Sequence, residues 1–384
     1  MSLWFIQCYP FRVLIDELAT PCALVDLDRF ESNAKRMAEK ALRLGVRLRP
    51  HVKTHKCVEA ARIQTDLHFG GVTVSTLAGA RAFAAGGFSD ITYAVPIAPQ
   101  KIGDAADLHT EIGNLNLLVD HPDTVRAVEE VAASRGIILP VFLEIDCGGK
   151  RSGVDPASDV AQILVRLLAD SEKIDFRGLL THAGHAYRAR SRSEAYEVAC
   201  QERNLMTAIA AEVRDLGVEV PEISVGSTPT LRAIDDLTGV TEVRPGNYVF
   251  FDAFQAAIGS CDLDDVAFSV LTTVISVHAE QARAVVDAGA IALSMDPGPS
   301  HVDAECGFGL PVTLEDQHPL PGLHLVGLTQ EHGTLTGPGT QALHPGTRIR
   351  ILPNHSCLAA ACFDRYHVLR GTEVIDEWHP VRGW

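Results

Sequence analysis

Residues 222–230, Glu-Ile-Ser-Val-Gly-Ser-Thr-Pro-Thr, and residues 241–248, Thr-Glu-Val-Arg-Pro-Gly-Asn-Tyr, decide the fold. Each is a short β-branched run that breaks into a glycine-containing turn, predicting strands at Glu222–Val225 and Thr241–Arg244. Gly226 permits close backbone approach, while Ser227 and Thr228 offer hydroxyls and N–H groups. Pro229 suits a first helical position, where its missing N–H is not needed. In the second turn Gly246, Asn247 and Tyr248 add a flexible backbone, an amide and a phenol. Ser227 or Thr228 could equally cap a helix and do nothing more. Two such turns on consecutive strands match the phosphate site that parallel barrels build after strands seven and eight.

Working outward, six further strands are expected at Val46–Pro50, Gly71–Ser75, Ile91–Val95, Leu115–Val119, Leu139–Asp146 and Asp175–Thr181. Helical patterns lie around them at Asp28–Leu44, Leu77–Ala85, Pro122–Ser134, Ala157–Leu168, Arg192–Leu216 and Thr230–Asp236. Alternation of this kind needs parallel strands joined by helical crossovers. Eight strands in roughly 225 residues fit an α/β chain forming a (β/α)8 TIM-type barrel. A doubly wound open sheet is the alternative, but no GxGxxG follows an early strand. After residue 255 helical periodicity fades. Strands are expected at Ala267–Val277, Arg283–Asp287, Leu323–Leu328 and Arg348–Leu352, punctuated by Pro297-Gly298-Pro299 and Gly337-Pro338-Gly339. The expected layout is an arm at 1–22, a barrel domain at 23–255 and a mainly antiparallel β domain at 256–384.

The 384 residues are 46% hydrophobic and 21% charged, an ordinary globular balance. A formal charge of -16 argues against a nucleic-acid or anionic-membrane partner. Nine cysteines with irregular spacing and no CxxC pair suit a reducing cytoplasm. The opening residues lack the pattern of a signal peptide, and no apolar run is long enough for a membrane span.

Four further stretches carry candidate chemistry. Arg49-Pro50-His51-Val52-Lys53-Thr54-His55-Lys56 ends the first expected strand. A lysine at that rim can present a neutral amine to a carbonyl carbon, favoured by positive charge from His51, His55 and Lys56. Solvated basic turns are also common there. Glu144-Ile145-Asp146-Cys147-Gly148-Gly149-Lys150-Arg151 ends the fifth strand, where Arg151 could pair with an anionic ligand oxygen. Thr181-His182-Ala183-Gly184-His185-Ala186-Tyr187 ends the sixth, and His182 could stack on a ring or move protons. In Pro353-Asn354-His355-Ser356-Cys357, an extended backbone would point His355 and Cys357 to one side, an imidazole–thiolate pair of zinc type. The ordinary reading of that pair is a buried thiol beside a histidine.

Taken together, PHVKTHK, LEIDCGGKRSGV, THAGHAY, VGSTPT, RPGNYVFFD, QEHG and ILPNHSC resemble the eukaryotic-type D-serine dehydratases. That group lies within the D-threonine aldolase and alanine racemase superfamily of fold type III enzymes. The resemblance runs from about residue 20 to 360. It implies a barrel that binds pyridoxal 5'-phosphate (PLP), held as a Schiff base by Lys53, with a C-terminal β domain and a homodimeric assembly. Arg151 matches the arginine near the coenzyme phenolic oxygen, and Gly226, Ser227, Thr228, Gly246, Asn247 and Tyr248 match the phosphate turns. His355 and Cys357 match the metal pair, zinc in the dehydratases. The aldolases typically carry Asp at the second position, so Cys357 favours dehydration. The implied substrate is a small D-3-hydroxy amino acid, D-serine or a 3-hydroxyaspartate, giving a keto acid and ammonia. An aldolase or racemase on the same fold, or a non-catalytic PLP-binding protein, is the alternative.

Overall fold

The computed structural model describes residues 13–68 and 70–384. The chain divides into two compact units, one of Lys35–Gly246 with Val381–Trp384, the other of residues up to Ala34 with Asn247–Pro380. Most of the expected N-terminal arm lies outside the described residues.

The first unit is the barrel. All eight expected strands form, at Arg47–Leu48, Val72–Val74, Asp90–Pro96, Asn114–Val119, Leu139–Glu144, Ile174–Leu180, Glu222–Val225 and Glu242–Val243. From the second strand to the eighth, each pairs in parallel with the next, and the eighth pairs with the first. The ring closes where Val52 N–H reaches Thr73 O and Thr73 N–H reaches Pro50 O, both at 2.9 Å. Strands covered by helices are buried on both faces, and the fifth is buried along its whole length. Two helices, Val58–Thr65 and Ile102–Ile112, were not anticipated. The former has no side-chain cap and the latter carries Gly103 in its first turn, so both lack the usual starting signals.

The barrel interior is unexpectedly polar. Arg49 donates to both carboxylate oxygens of Asp90 at 2.9 Å and to Glu242 at 2.8 Å. Glu242 accepts the Ser224 hydroxyl at 2.7 Å, and Arg244 donates to Ser224 Oγ and to Thr181 O. All of these groups but the half-buried Asp90 are buried, so each needs its partner.

The second unit is a mixed sheet. Phe268–His278 pairs antiparallel with Cys22–Asp26, Arg283–Val286 and Arg348–Pro353. Cys22–Asp26 also runs parallel to Tyr366–Arg370, which forms a hairpin with Glu373–Trp378. Residues 23–26, expected at the start of the barrel domain, therefore belong to this sheet instead. A buried apolar strand does not declare its partner, because pairing is non-local. Phe30, Phe250, Phe268, Tyr366 and Trp378 form an aromatic core with ring centroids 5.1–6.1 Å apart. Among the described residues no helix is long and apolar enough to cross a membrane.

Candidate active site

The turn after the first barrel strand leaves Lys53 exposed at the rim, with His51, Thr54 and His55 buried around it. Lys53 N–H faces His51 Nδ1 at 3.4 Å. Burial holds His51 well below its ordinary range, and the charges of Lys53 and Arg244 push the same way. Burial also lowers His55 to about 4. Both His55 ring nitrogens are engaged, Nε2 with Gln64 Oε1 at 2.7 Å and Nδ1 accepting Cys57 N–H at 3.0 Å. Both histidines are thus neutral, which corrects the expectation that they add positive charge beside the lysine.

The charge that does gather comes from other strands. His182, just past the sixth strand, is hydrogen-bonded to the backbone of Gly226, just past the seventh. Burial keeps its ring neutral, reinforced by the nearby cations Lys53, Arg151 and Arg244. Arg151 sits on an exposed turn where Asp146 Oδ1 accepts the Gly148 and Lys150 N–H groups at 2.8 and 3.1 Å. Gly153 ends this turn at φ +95°, where a Cβ would lie 2.6 Å from Asp146 N. The structure therefore brings Lys53, Arg151, His182 and the Gly226 turn to one barrel mouth.

Ser227 is the N-cap of the short helix Thr228–Ala233, in a reciprocal bond with Thr230. Its own N–H goes to Thr230 Oγ1 at 2.8 Å, so capping occupies it. Gly226 at φ +100° turns the chain into this cap. Gly246 is needed for a different reason, since a Cβ there would lie 2.7 Å from His51 O. The donor set matches PLP: an amine for its aldehyde, a guanidinium for its phenolate, a neutral imidazole, and a glycine turn at a helix start for its phosphate.

Asn247 and Tyr248 are buried, and they belong to the second unit. The Asn247 amide turns to the NHSC segment, donating to Asp252 Oδ2 at 2.9 Å and Ser356 Oγ at 2.8 Å, with Cys357 Sγ at 3.7 Å. His355 is the N-cap of the helix Ser356–Ala361, and Cys357 lies in its first turn. The two are therefore not alternate residues of a strand, as spacing suggested, yet their side chains are hydrogen-bonded to each other. His355 Nδ1 lies 3.1 Å from Asp296 Oδ2, which orients the ring and leaves Nε2 for a cation. Burial alone would lower His355, but Asp296 and Cys357 outweigh it and raise it to about 11. Among the described residues no three His, Cys, Asp or Glu side chains converge as a metal cluster. An imidazole–thiol pair with a carboxylate behind it fits a divalent cation whose other positions are open. Asp296, Asp252 and Glu202, the last buried behind the Gly226 turn, were not anticipated. Acidic residues ordinarily read as surface positions.

Comparison with known proteins agrees with this geometry. Residues 25–253 match the family model of the alanine racemase N-terminal domain, and 267–369 match that of a serine dehydratase domain. The chain is 40% identical to the D-threo-3-hydroxyaspartate dehydratase of Delftia sp. (strain HT23), covering 96% of this chain and 98% of that protein. It is 34% identical to the D-serine dehydratase of Dictyostelium discoideum over the same shares, 96% and 98%. The solved structure of the Delftia enzyme superposes with a TM-score of 0.92 at 39% identity, covering 97% of this chain and all of that one. With both domain models matched in order along a single chain, this protein belongs to the fold type III pyridoxal-phosphate family, in the branch that joins an alanine racemase-like barrel to a serine dehydratase domain.

Proposed function

We propose that this protein is a PLP- and metal-dependent dehydratase of a D-3-hydroxy amino acid, D-serine or D-threo-3-hydroxyaspartate, releasing a keto acid and ammonia. The observation that carries the reading is the meeting of Lys53, Arg151, His182 and the Gly226 turn at one mouth. Lys53 would hold the coenzyme and, with its amine free, take the Cα proton from the face it occupies. A base on one face selects one enantiomer. Arg151 would pair with the phenolate, and the neutral His182 would lie against the ring. When bound, PLP supplies the electron sink that makes a Cα proton removable. His355 and Cys357 would hold the cation, oriented by Asp296. Zinc suits this ligand pair and would act as a Lewis acid toward the substrate β-hydroxyl.

Homodimeric assembly belongs to the same proposal, supported by the exposed Ile291, Met295 and Leu358 of the second unit. Cytoplasmic residence is supported by the cysteine pattern. The test is an assay of the coenzyme-loaded protein on both D-amino acids, with and without chelator. Keto acid and ammonia release that stops on chelation is expected. Release of glycine and an aldehyde, or exchange of enantiomers alone, would overturn the reading.

A further inference from the structure

Glu202 lies on the long outer helix Arg192–Asp215, yet it is only 3% exposed. A buried carboxylate is unfavourable unless its oxygens are satisfied. Here one oxygen, Oε1, accepts two backbone N–H groups at 3.1 Å, from Ala183 and from Gly226. The Thr230 side chain bonds to the same carboxylate, and Arg244 supplies the neighbouring positive charge.

The two donors are not arbitrary places on the chain. Ala183 directly follows His182, and Gly226 opens the capped turn that starts the short helix Thr228–Ala233. His182 in turn bonds to the Gly226 backbone. One carboxylate oxygen therefore ties the ends of the sixth and seventh strands together from behind the mouth. The two strands pair only over Gly178–Leu180 and Glu222–Ser224, so beyond that point their turns depend on other contacts for a mutual position.

We infer that Glu202 is a positioning residue for coenzyme binding, holding His182 and the Gly226 turn in the arrangement that receives PLP. This rests on the functional reading above and adds a residue to it. Glu202 itself is buried. It acts through two backbone N–H groups, so what matters is its reach to both and less its charge.

That distinction sets the experiment. Glu202→Gln keeps the reach and an acceptor oxygen but removes the charge, whereas Glu202→Asp keeps the charge and shortens the reach by one methylene. Glu202→Ala removes both. Each purified variant is stripped of coenzyme and titrated with PLP, followed by absorbance and by circular dichroism in the coenzyme band. Unfolding is monitored in parallel by far-ultraviolet dichroism. The expected result is that Asp and Ala bind PLP about tenfold or more weakly, with a diminished dichroic band, and that Gln stays within about threefold of the parent. Should Ala fail to fold, the Asp and Gln pair decides the matter. Equal PLP affinity in all variants, even with lowered stability, would overturn the inference. So would a weakened Gln beside an unaffected Asp, since charge and not reach would then be the cause. A parent protein that takes up no PLP would overturn the functional reading as well, an outcome separate from variants that fail while the parent succeeds.

Discussion

The backbone N–H of Ser356 lies 3.0 Å from Oδ2 of Asp252, and Ser356 is the residue that separates His355 from Cys357. The same oxygen accepts the Ser356 hydroxyl at 3.2 Å and the Asn247 amide at 2.9 Å. Its partner oxygen caps the helix Ala253–Ala257 through Gln255 N–H at 2.9 Å. One buried carboxylate thus anchors the turn that presents the candidate metal pair.

Asp252→Ala releases that turn. Zinc affinity, measured by competition with a chromophoric chelator, is expected to fall by about 10- to 100-fold, the usual effect of losing an outer partner of metal ligands. Zinc binding as tight as in the parent would show that Asp252 serves the helix cap alone.

Removal of the metal gives a second expectation. Dialysis against a chelator should stop keto acid release without unfolding the protein, and zinc should restore it. His355→Ala should lose at least about 100-fold in activity and gain little from added zinc, because a single thiol is a poor site. Full activity in chelator would contradict the proposed role of the pair.

The pH dependence of stability follows from His55. Its folded-state value of about 4 lies below the ordinary 6.5, so between those limits the unfolded chain binds a proton that the native protein does not. Stability should therefore fall as the pH drops from about 6.5 toward about 4, by up to about 3 kcal/mol from this residue. Above about 6.5 the ring is neutral in both states and contributes no slope. Urea unfolding at several pH values should give a flatter acid limb for His55→Asn than for the parent. The variant should be less stable at neutral pH, since Gln64 and Cys57 N–H lose their partner. Parallel pH profiles for the two proteins would refute the assignment.

Much of the barrel was legible in the chain because its signals are local. Each strand is a short apolar run ended by a turn, and the helices between most of them carry their own periodicity. The turn at Gly226 and the rim lysine were legible for the same reason, since strand ends position their next few residues. What stayed hidden depends on distant contacts. Cys22–Asp26 reads as any buried strand until Phe268–His278 and Tyr366–Arg370 are found on either side of it. The spacing of His355 and Cys357 suits a strand, but Ser356 starts a helix there, held by Asp252 more than one hundred residues earlier. Asn247 sits in a phosphate-type turn yet spends its amide on Asp252 and Ser356. Glu202 looks like a solvated helix position until two backbone N–H groups are found converging on it.

In the proposed function Lys53 is the residue joined to the coenzyme. Reduction of the PLP-loaded protein with borohydride, followed by proteolysis and peptide mass mapping, tests it most directly. A pyridoxyl label is expected on the peptide carrying Lys53, and is expected to be lost in Lys53→Ala. A label on another lysine, or none on a protein that holds PLP, would contradict it.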